Sequence, residues 1–276
     1  MAIDESKSEN NESLNPDVVR IELMGVEVDV LTEQELIGHI TDALNQSIGG
    51  WVVTANLDIL RRATRQADFR QLLLEADVVT ADGMPLVWAS CLQGTPLPAR
   101  VTGSSLVWTL SEAAAIHRRS IFLIGGAPGA AQGARQALER RFGALRITGT
   151  CCPPLGFDQD EQQLNDIKTV VIKARPDIIY VALGSPKQER LIRYLRPALP
   201  SAWWLGVGAS LSFLSGQVSR SPIWVQKVGL EWLYRLIQEP RRLAKRYLVT
   251  GLPFAIQVLF DSSRKRCWMF KMKQSS

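Results

Sequence analysis

The chain has 276 residues, of which 46% are hydrophobic and 21% are charged, a composition typical of a globular protein and not of a disordered chain. Its two histidines, His39 and His117, and its four cysteines do not fall at metal-ligand spacing, which argues against a Cys/His zinc site. Reduced thiols in a cytosolic protein are the simplest interpretation of those cysteines.

The net charge of +5 is unevenly distributed. Residues 220–276, which we call the C-terminal appendage, contain 12 Lys and Arg but 3 Asp and Glu, a net charge of +9, whereas the first 219 residues carry −4. A strongly basic segment on a mildly acidic body indicates an anionic partner. Nucleic acid, membrane phospholipid and a phosphorylated substrate are the candidates.

The N-terminal part of the chain predicts a leader, a hairpin and a helix. Residues 1–17 are polar and mostly acidic with no apolar stretch, which predicts a disordered leader and no targeting signal. Two short strands, 18–23 and 26–31, are expected to turn at Met24-Gly25. Residues 32–35 (TEQE) form a capping box, which predicts a helix to about Asn45.

Strand-like and helix-like segments then alternate. The predicted strands are 51–55, 77–81, 120–125, 145–150, 177–184 and 202–206, and the predicted helices between them are 57–75, 85–92, 104–118, 130–141, 161–174 and 187–195. The strands lack a polar face, which indicates a parallel sheet covered by helices on both faces. We therefore predict a Rossmann-like α/β domain over 18–219, and a helical appendage with helices at 224–239 and 241–250 and a third starting at 253.

Ligands of open parallel sheets bind beyond the carboxyl ends of the strands, so the loops at those ends are the candidate binding site. Gly125 and Gly126, with Gly129, follow a strand and precede a helix, an arrangement that lets the backbone approach a diphosphate but also makes an ordinary tight turn. The loop is not G-x-G-x-x-G, and no acidic residue ends the next strand. A nicotinamide cofactor is therefore disfavoured.

Polar side chains at the strand ends are open to two interpretations each. Asp82 fits the N-cap of the following helix and also a general base whose pKa is raised in a half-buried cleft. Asn56 likewise caps a helix or contacts a ligand. For Lys187 and Gln188 a solvated helix start is favoured over binding of phosphate or sugar hydroxyls, and Arg100 is a loop cation with the same ambiguity.

Six segments at these ends and in the appendage occur in a characteristic order. They are 54–58 (TANLD), 81–85 (ADGMP), 97–103 (LPARVTG), 122–126 (FLIGG), 183–189 (LGSPKQE) and 229–242 (GLEWLYRL, then EPRR). Together they resemble the WecG/TagA/CpsF family of bacterial glycosyltransferases over about residues 20–248.

The resemblance implies an inverting transferase in cell-surface polysaccharide or teichoic acid-like glycan synthesis. It would move a sugar, N-acetylmannosamine or a related hexose, from a UDP-sugar to an undecaprenyl-diphosphate-linked sugar. Asp82 is implied as the catalytic base. The resemblance, together with the glycine loop and Lys187 at the strand ends, predicts a set of substrate-binding residues. These are Thr54, Asn56, Arg100, Gly125, Gly126, Lys187, Gln188, Arg235, Arg242 and Lys245.

No metal or other cofactor is expected, because no Asp-x-Asp motif stands near a strand end. Arg and Lys side chains would instead stabilise the leaving UDP. The resemblance implies a cytoplasmic protein, peripheral on the inner face of the cell membrane. The uncharged stretch 247–260 is too short to span a bilayer but suits an anionic membrane surface. A buried helix with a solvated basic end is the alternative. A homo-oligomer stays open.

Two positions depart from the family pattern. Ser105 stands where the family usually has Asp after Gly103, and Ser212 where Asp commonly follows the Gly-Val-Gly loop. If either Asp holds nucleotide or acceptor, the substrate preference differs here. Asp82 is retained, which keeps the enzyme interpretation.

Two other classes of protein were weighed. A nicotinamide-dependent oxidoreductase of Rossmann fold is disfavoured by the glycine loop. An RNA-binding protein that uses the basic appendage is disfavoured because stacking aromatics on a sheet surface are missing from the pattern. No nucleic acid is therefore expected among the partners.

Overall fold

The computed structural model describes residues 18–222, 224–225 and 229–274, with the side chains of residues 242 and 269–274 excepted. The predicted leader, residues 1–17, lies outside the described residues. Strands β1 (Arg20–Leu23) and β2 (Val26–Asp29) form the predicted antiparallel hairpin. Thr32 and Glu35 form the predicted capping box of helix α1 (Glu33–Asn45), which fixes where that helix begins.

Six further strands form one parallel sheet in the order β4-β3-β8-β7-β5-β6. These strands are β3 (Gly50–Ala55), β4 (Val78–Ala81), β5 (Ser120–Gly125), β6 (Arg146–Cys151), β7 (Ile178–Ala182) and β8 (Trp203–Gly206). The helices of this part of the chain are α2 (Leu57–Arg65), α3 (Ala67–Leu74), α4 (Met84–Gln93), α5 (Gly103–Ile116), α6 (Ala130–Arg141), α7 (Glu161–Ala174), α8 (Lys187–Leu195) and α9 (Ser210–Leu214).

Both faces of the sheet are apolar and covered. Successive residues of a strand point to opposite faces, and in β8 the neighbours Trp203 and Trp204 are buried in two different core clusters. Helices α1, α5 and α6 contribute to one cluster, and α2, α3, α4, α7 and α8 contribute to the other. The predicted Rossmann-like α/β fold is confirmed.

The predicted helix 57–75 is wrong as a single element. Gln66 has φ −128° and ψ 107°, an extended conformation that separates α2 from α3. After this break Phe69 and Leu72 of α3 are buried in the core. A single straight amphipathic helix over 57–75 would not have to bury them there. No Gly or Pro marks the break in the sequence, so burial of α3 overrides local propensity.

In the appendage, the predicted helix 224–239 is also interrupted. Gly229 adopts φ +78°, and a Cβ there would lie 2.7 Å from Cγ of Met84, so a turn stands where the helix was expected. The elements that follow are α10 (Glu231–Gln238), α11 (Pro240–Ala244), a π-helical segment (Lys245–Gly251) and α12 (Leu252–Gln274). The predicted helix 241–250 is therefore divided between α11 and the π-helical segment.

Helix α12 packs on the α/β body along α4. Phe254 and Val258 are buried in the same core cluster as Trp204, and Lys265 forms an ion pair with Glu22 of β1. The stretch 247–260 therefore presents only part of its apolar side chains to solvent. None of the helices in the described part of the chain combines the length and the hydropathy that a membrane span needs.

Candidate active site

The carboxyl ends of the six parallel strands lie at one edge of the sheet, and Asp82 follows β4 at that edge. Its backbone N–H donates to the carbonyl of Ala55 at the end of β3, over 2.8 Å. Gly83, with φ +149°, is the N-cap of α4, and no side chain caps that helix. The Asp82 carboxylate is therefore not the N-cap of α4, which was the structural alternative to a role in catalysis.

The environment of Asp82 makes its carboxylate more basic than usual. Burial raises the pKa of Asp82 from 3.8 to about 6. The Arg100 charge lowers this pKa, the Glu231 charge raises it, and a hydrogen bond from the backbone N–H of Gly103 and the charge of Arg235 lower it further. A half-buried carboxylate with a pKa near neutrality is suited to accepting a proton from a substrate hydroxyl.

Arg100 reaches this edge because its segment is joined to the end of β4. The N–H of the next residue, Val101, donates to the carbonyl of Ala81 over 3.0 Å. The Arg100 guanidinium lies 3.2 Å from a carboxylate oxygen of Glu231 in the first turn of α10. The appendage therefore contacts the body directly beside Asp82.

Arg235, one of the three predicted cations in the appendage, reaches the edge with its side chain. Its guanidinium carbon lies 5.4 Å from the ring centroid of Phe213, and its Nε is buried without a hydrogen-bond partner among the described residues. Lys245 is exposed at the start of the π-helical segment. The side chain of Arg242 lies outside what the structure describes.

Thr54 and Asn56, at the end of β3, are engaged within the protein. The Thr54 hydroxyl is buried and donates to the carbonyl of Gly206 over 3.1 Å, which joins β3 to β8. Asn56 caps α2, with its Oδ1 accepting from the N–H groups of Asp58 (3.0 Å) and Ile59 (3.2 Å). Both residues shape the edge, and contact with a ligand stays a prediction for them.

Gln188 is buried against the end of β8, and both the nitrogen and the oxygen of its side-chain amide are hydrogen-bonded. Its Nε2 donates to Oε1 of Glu189 over 2.9 Å, and its Oε1 accepts from the N–H of Gly208 over 3.2 Å. A Cβ on Gly206 would lie 2.7 Å from that Nε2. Glu189 is 1% exposed, and burial raises its pKa. Gln188 therefore braces the loop that follows β8, a role that the sequence did not suggest.

Lys187 points to the neighbouring loop. Its Nζ lies 2.7 Å from the carboxylate of Asp158 and 5.8 Å from the ring centroid of Phe157. This ion pair occupies the ammonium group that was predicted to neutralise phosphate.

In the glycine loop the N–H of Gly126 donates to the carbonyl of Ala182 over 2.7 Å, and a Cβ on Gly125 would lie 2.6 Å from that same oxygen. The amide of Gly126 is therefore used within the protein. Helix α6 begins after Gly129 without a side-chain cap. Its first-turn N–H groups are the part of the loop suited to an anion.

Ser105, the departure from the family pattern, faces helix α1. Its Oγ bonds to Thr102, and both Ser105 and Thr109 donate to the carboxylate of Glu33. An Asp at position 105 would place a second carboxylate against Glu33, which like-charge repulsion disfavours. The serine is thus matched to its neighbour in this chain.

Charged contacts between the appendage and the carboxyl edge of the sheet were not predicted from the sequence. Besides Glu231 on Arg100, Arg246 lies 3.4 Å from the carboxylate of Asp58 at the start of α2. The sequence held one signal for the contact of Glu231, because Glu231 is one of only three acidic residues in the appendage. Among the described residues no three His, Cys, Asp or Glu side chains are grouped to hold a metal ion.

Comparison with known proteins identifies the family to which the chain belongs. The model of the glycosyl transferase WecG/TagA/CpsF family matches residues 21–267. The chain is similar to proteins named N-acetylglucosaminyldiphosphoundecaprenol N-acetyl-beta-D-mannosaminyltransferase from three bacteria. The one from Bacillus spizizenii is 32% identical over 207 residues, 75% of this chain and 78% of the relative. The one from Bacillus subtilis strain 168 is 31% identical, covering 81% of this chain and 84% of the relative.

The third, from Staphylococcus aureus strain MW2, is 27% identical over 252 residues, which cover 89% of this chain and 94% of the relative. The family match extends from β1 into α12, so it includes the α/β body together with the appendage that contacts it. Neither an oxidoreductase nor an RNA-binding protein is supported by these relatives. The chain belongs to the WecG/TagA/CpsF family and is a glycosyltransferase.

Proposed function

We propose that this enzyme moves N-acetylmannosamine or a related hexose from a UDP-sugar to an undecaprenyl-diphosphate-linked N-acetylglucosamine, with inversion at the anomeric carbon. The acceptor and the transferred sugar follow the names of the relatives. The observation that carries the proposal is the basic carboxylate of Asp82 at the carboxyl edge of the sheet, on which cations from both the body and the appendage act.

Asp82 supplies the base that the reaction needs. The acceptor hydroxyl must lose a proton as it attacks the anomeric carbon, and a carboxylate with a pKa of about 6 is largely ionised at neutral pH yet retains proton affinity. The carboxylate of Glu231 is occupied by Arg100. We propose direct displacement by the acceptor hydroxyl and not a covalent glycosyl intermediate, and direct displacement inverts the configuration.

The leaving UDP gains negative charge as the glycosidic bond breaks, and preorganised cations lower the energy of that transition state. Arg235 brings a buried Nε without a partner in the described part of the chain to the same edge, and its charge acts on Asp82. The N-terminus of α6 follows β5 at the same edge of the sheet and has no side-chain cap, which suits it to an anion. Arg235, with Arg242 and Lys245 as further candidates, is proposed to hold the diphosphate.

The lipid-linked acceptor requires the enzyme to work at a membrane surface. The appendage combines a net charge of +9 with large apolar side chains that are exposed to solvent, at Trp224, Leu230, Trp232, Leu233, Ile237, Leu248, Val249, Leu252, Ile256, Phe260 and Trp268. Basic and apolar side chains on one segment bind anionic bilayers through both charge and burial. We propose peripheral attachment at the cytoplasmic face of the membrane through this segment.

A transfer assay tests the proposal. The full-length enzyme is incubated with UDP-N-acetylmannosamine or UDP-N-acetylglucosamine and a short-chain polyprenyl-diphosphate N-acetylglucosamine, and UDP release and the disaccharide product are measured. We expect the mannosamine donor to be used and the anomeric proton of the product to report inversion. Transfer with retention, or no transfer with either donor, would contradict the proposed reaction.

A further inference from the structure

Glu231 is placed unusually for the appendage, which is otherwise basic. It is one of three acidic residues in a segment that contains 12 Lys and Arg residues. It lies in the first turn of α10, facing the α/β body. Its carboxylate is 3.2 Å from the Arg100 guanidinium, and both side chains are 17% exposed. An ion pair that is this sheltered is screened less by salt than one on the surface.

The two residues of this pair belong to parts of the chain that are 131 positions apart. Arg100 is fixed by the body, through the hydrogen bond between Val101 and Ala81. Glu231 is carried by the appendage, and the turn at Gly229 that precedes it packs on Met84 and Trp88 of α4. Formation of the pair therefore requires α10 to be seated on the body.

The charges that face Asp82 come from both parts. From the body they are Arg100 and the N–H of Gly103, and from the appendage they are Glu231 and Arg235. Arg100 favours the ionised form of Asp82 and Glu231 opposes it. Without Glu231, Arg100 would act on Asp82 uncompensated and hold it as a weaker base.

We propose that Glu231 is a positioning residue of the transfer reaction, which, through its ion pair with Arg100, keeps that guanidinium from pairing with Asp82. The inference rests on the proposed function, in which Asp82 is the base. In the seated state Glu231 neutralises Arg100, and Asp82 retains the proton affinity that the attack of the acceptor hydroxyl requires.

The test uses full-length Glu231→Gln, which keeps the shape of the side chain and removes its charge. Glu231→Asp retains the charge on a shorter side chain, and Asp261→Asn, at a 41%-exposed position of α12 paired with Lys265, is the matched control for loss of one acidic residue. The titration of Asp82 is followed by carbon NMR of the enzyme labelled at aspartate carboxyl carbons, with the Asp82 signal identified by its absence in Asp82→Asn. Circular dichroism and thermal unfolding verify that each variant is folded.

We expect the midpoint of Asp82 to move from about 6 toward 3.8 in Glu231→Gln, to stay close to the wild-type value in Asp261→Asn, and to be largely restored in Glu231→Asp. The acid limb of the rate profile should move in parallel, with a loss of about tenfold in the rate at its plateau because a weaker base is less effective. A role of Glu231 in stability alone would lower the unfolding temperature and leave the midpoint in place.

An unchanged midpoint in folded Glu231→Gln, or an equal shift in Asp261→Asn, would overturn the inference. Failure of the proposed function gives a different result, namely undiminished transfer by Asp82→Asn. If Glu231→Gln does not fold, the same titration in folded Glu231→Ala decides the question, because an unchanged midpoint there would mean that the 3.2 Å contact is not required.

Discussion

The guanidinium of Arg246 lies 3.4 Å from the carboxylate of Asp58. Asp58 stands in the first turn of α2, directly after β3, whereas Arg246 belongs to the π-helical segment of the appendage. The polarity of this ion pair is opposite to that of Arg100 with Glu231, in which the body supplies the cation. Two ion pairs of opposite polarity therefore fix the appendage at the carboxyl edge of the sheet, so that its sequence must match the body at both contacts.

Replacement of the base tests the chemistry directly. Asp82→Asn is expected to lower the rate of transfer by about 10²–10⁴, the usual contribution of a general base. Binding of UDP, measured by calorimetry, should be nearly unchanged because the amide has the same shape as the carboxyl group. Asp42→Asn, at an exposed position of α1, is the control. A loss of less than about tenfold in Asp82→Asn would argue that another group takes the proton.

The pH dependence of the wild-type enzyme follows from the raised pKa of Asp82. Because the base must be ionised, kcat/KM should reach a plateau well above pH 6 and should fall about tenfold for each pH unit well below it, with a midpoint near 6. Initial rates over pH 4.5 to 8 measure this. A midpoint near 4, the ordinary range of an aspartate, would mean that Asp82 is not desolvated in the working enzyme.

The same pKa shift has a consequence for stability. The folded state binds the Asp82 proton more tightly than the unfolded chain, so the stability present below pH 3.8 is lost as the pH rises through about 6. Since Asp82→Asn cannot ionise, it should be more stable than the wild type at pH 8, by at most about 3 kcal/mol. Thermal unfolding should show the difference in Tm at pH 8 and none at pH 4. A lower Tm for Asp82→Asn at pH 8 would contradict the proposed desolvation.

Gln188 is expected to be required for the geometry of the β8 loop. Gln188→Leu leaves the N–H of Gly208 and the buried carboxyl of Glu189 without their partners, which costs about 1–3 kcal/mol for each unsatisfied group. Urea unfolding measures the loss. Gln136→Leu, at an exposed position of α6, should be nearly neutral, and equal stability of the two variants would mean that Gln188 does not brace the loop.

Membrane attachment is tested by two isoleucines of equal exposure. Ile237 in α10 is 72% exposed and Ile116 at the end of α5 is 71% exposed, and only the first belongs to the appendage. Ile237→Asp should weaken binding to anionic liposomes by roughly tenfold or more, since burial of such a side chain contributes about 1.5–3 kcal/mol. Ile116→Asp should bind as the wild type does. The reverse order in a sedimentation assay would place the membrane contact on the α/β body.

Local patterns were sufficient for the fold class, but not for the breaks at Gln66 and Gly229. Most strands were predicted from apolar runs, and the hairpin and the start of α1 were predicted from the Met24-Gly25 turn and the capping box at Thr32. These signals depend on residues within a few positions of one another, so the sequence specifies them by itself. The placement of Asp82 at a strand end followed from the same alternation of strands and helices.

Tertiary packing decided the rest. The backbone at Gly83 rules out the N-cap role of Asp82. The side-chain amide of Gln188 uses both its nitrogen and its oxygen in hydrogen bonds within the protein. The contact of Glu231 with Arg100 joins residues 131 positions apart, and no local pattern encodes such a pairing. The basicity of Asp82 depends on burial and on charges from two distant segments, and that environment exists only once the chain has folded, because the free energy of ionisation is set by the surrounding solvent and charge.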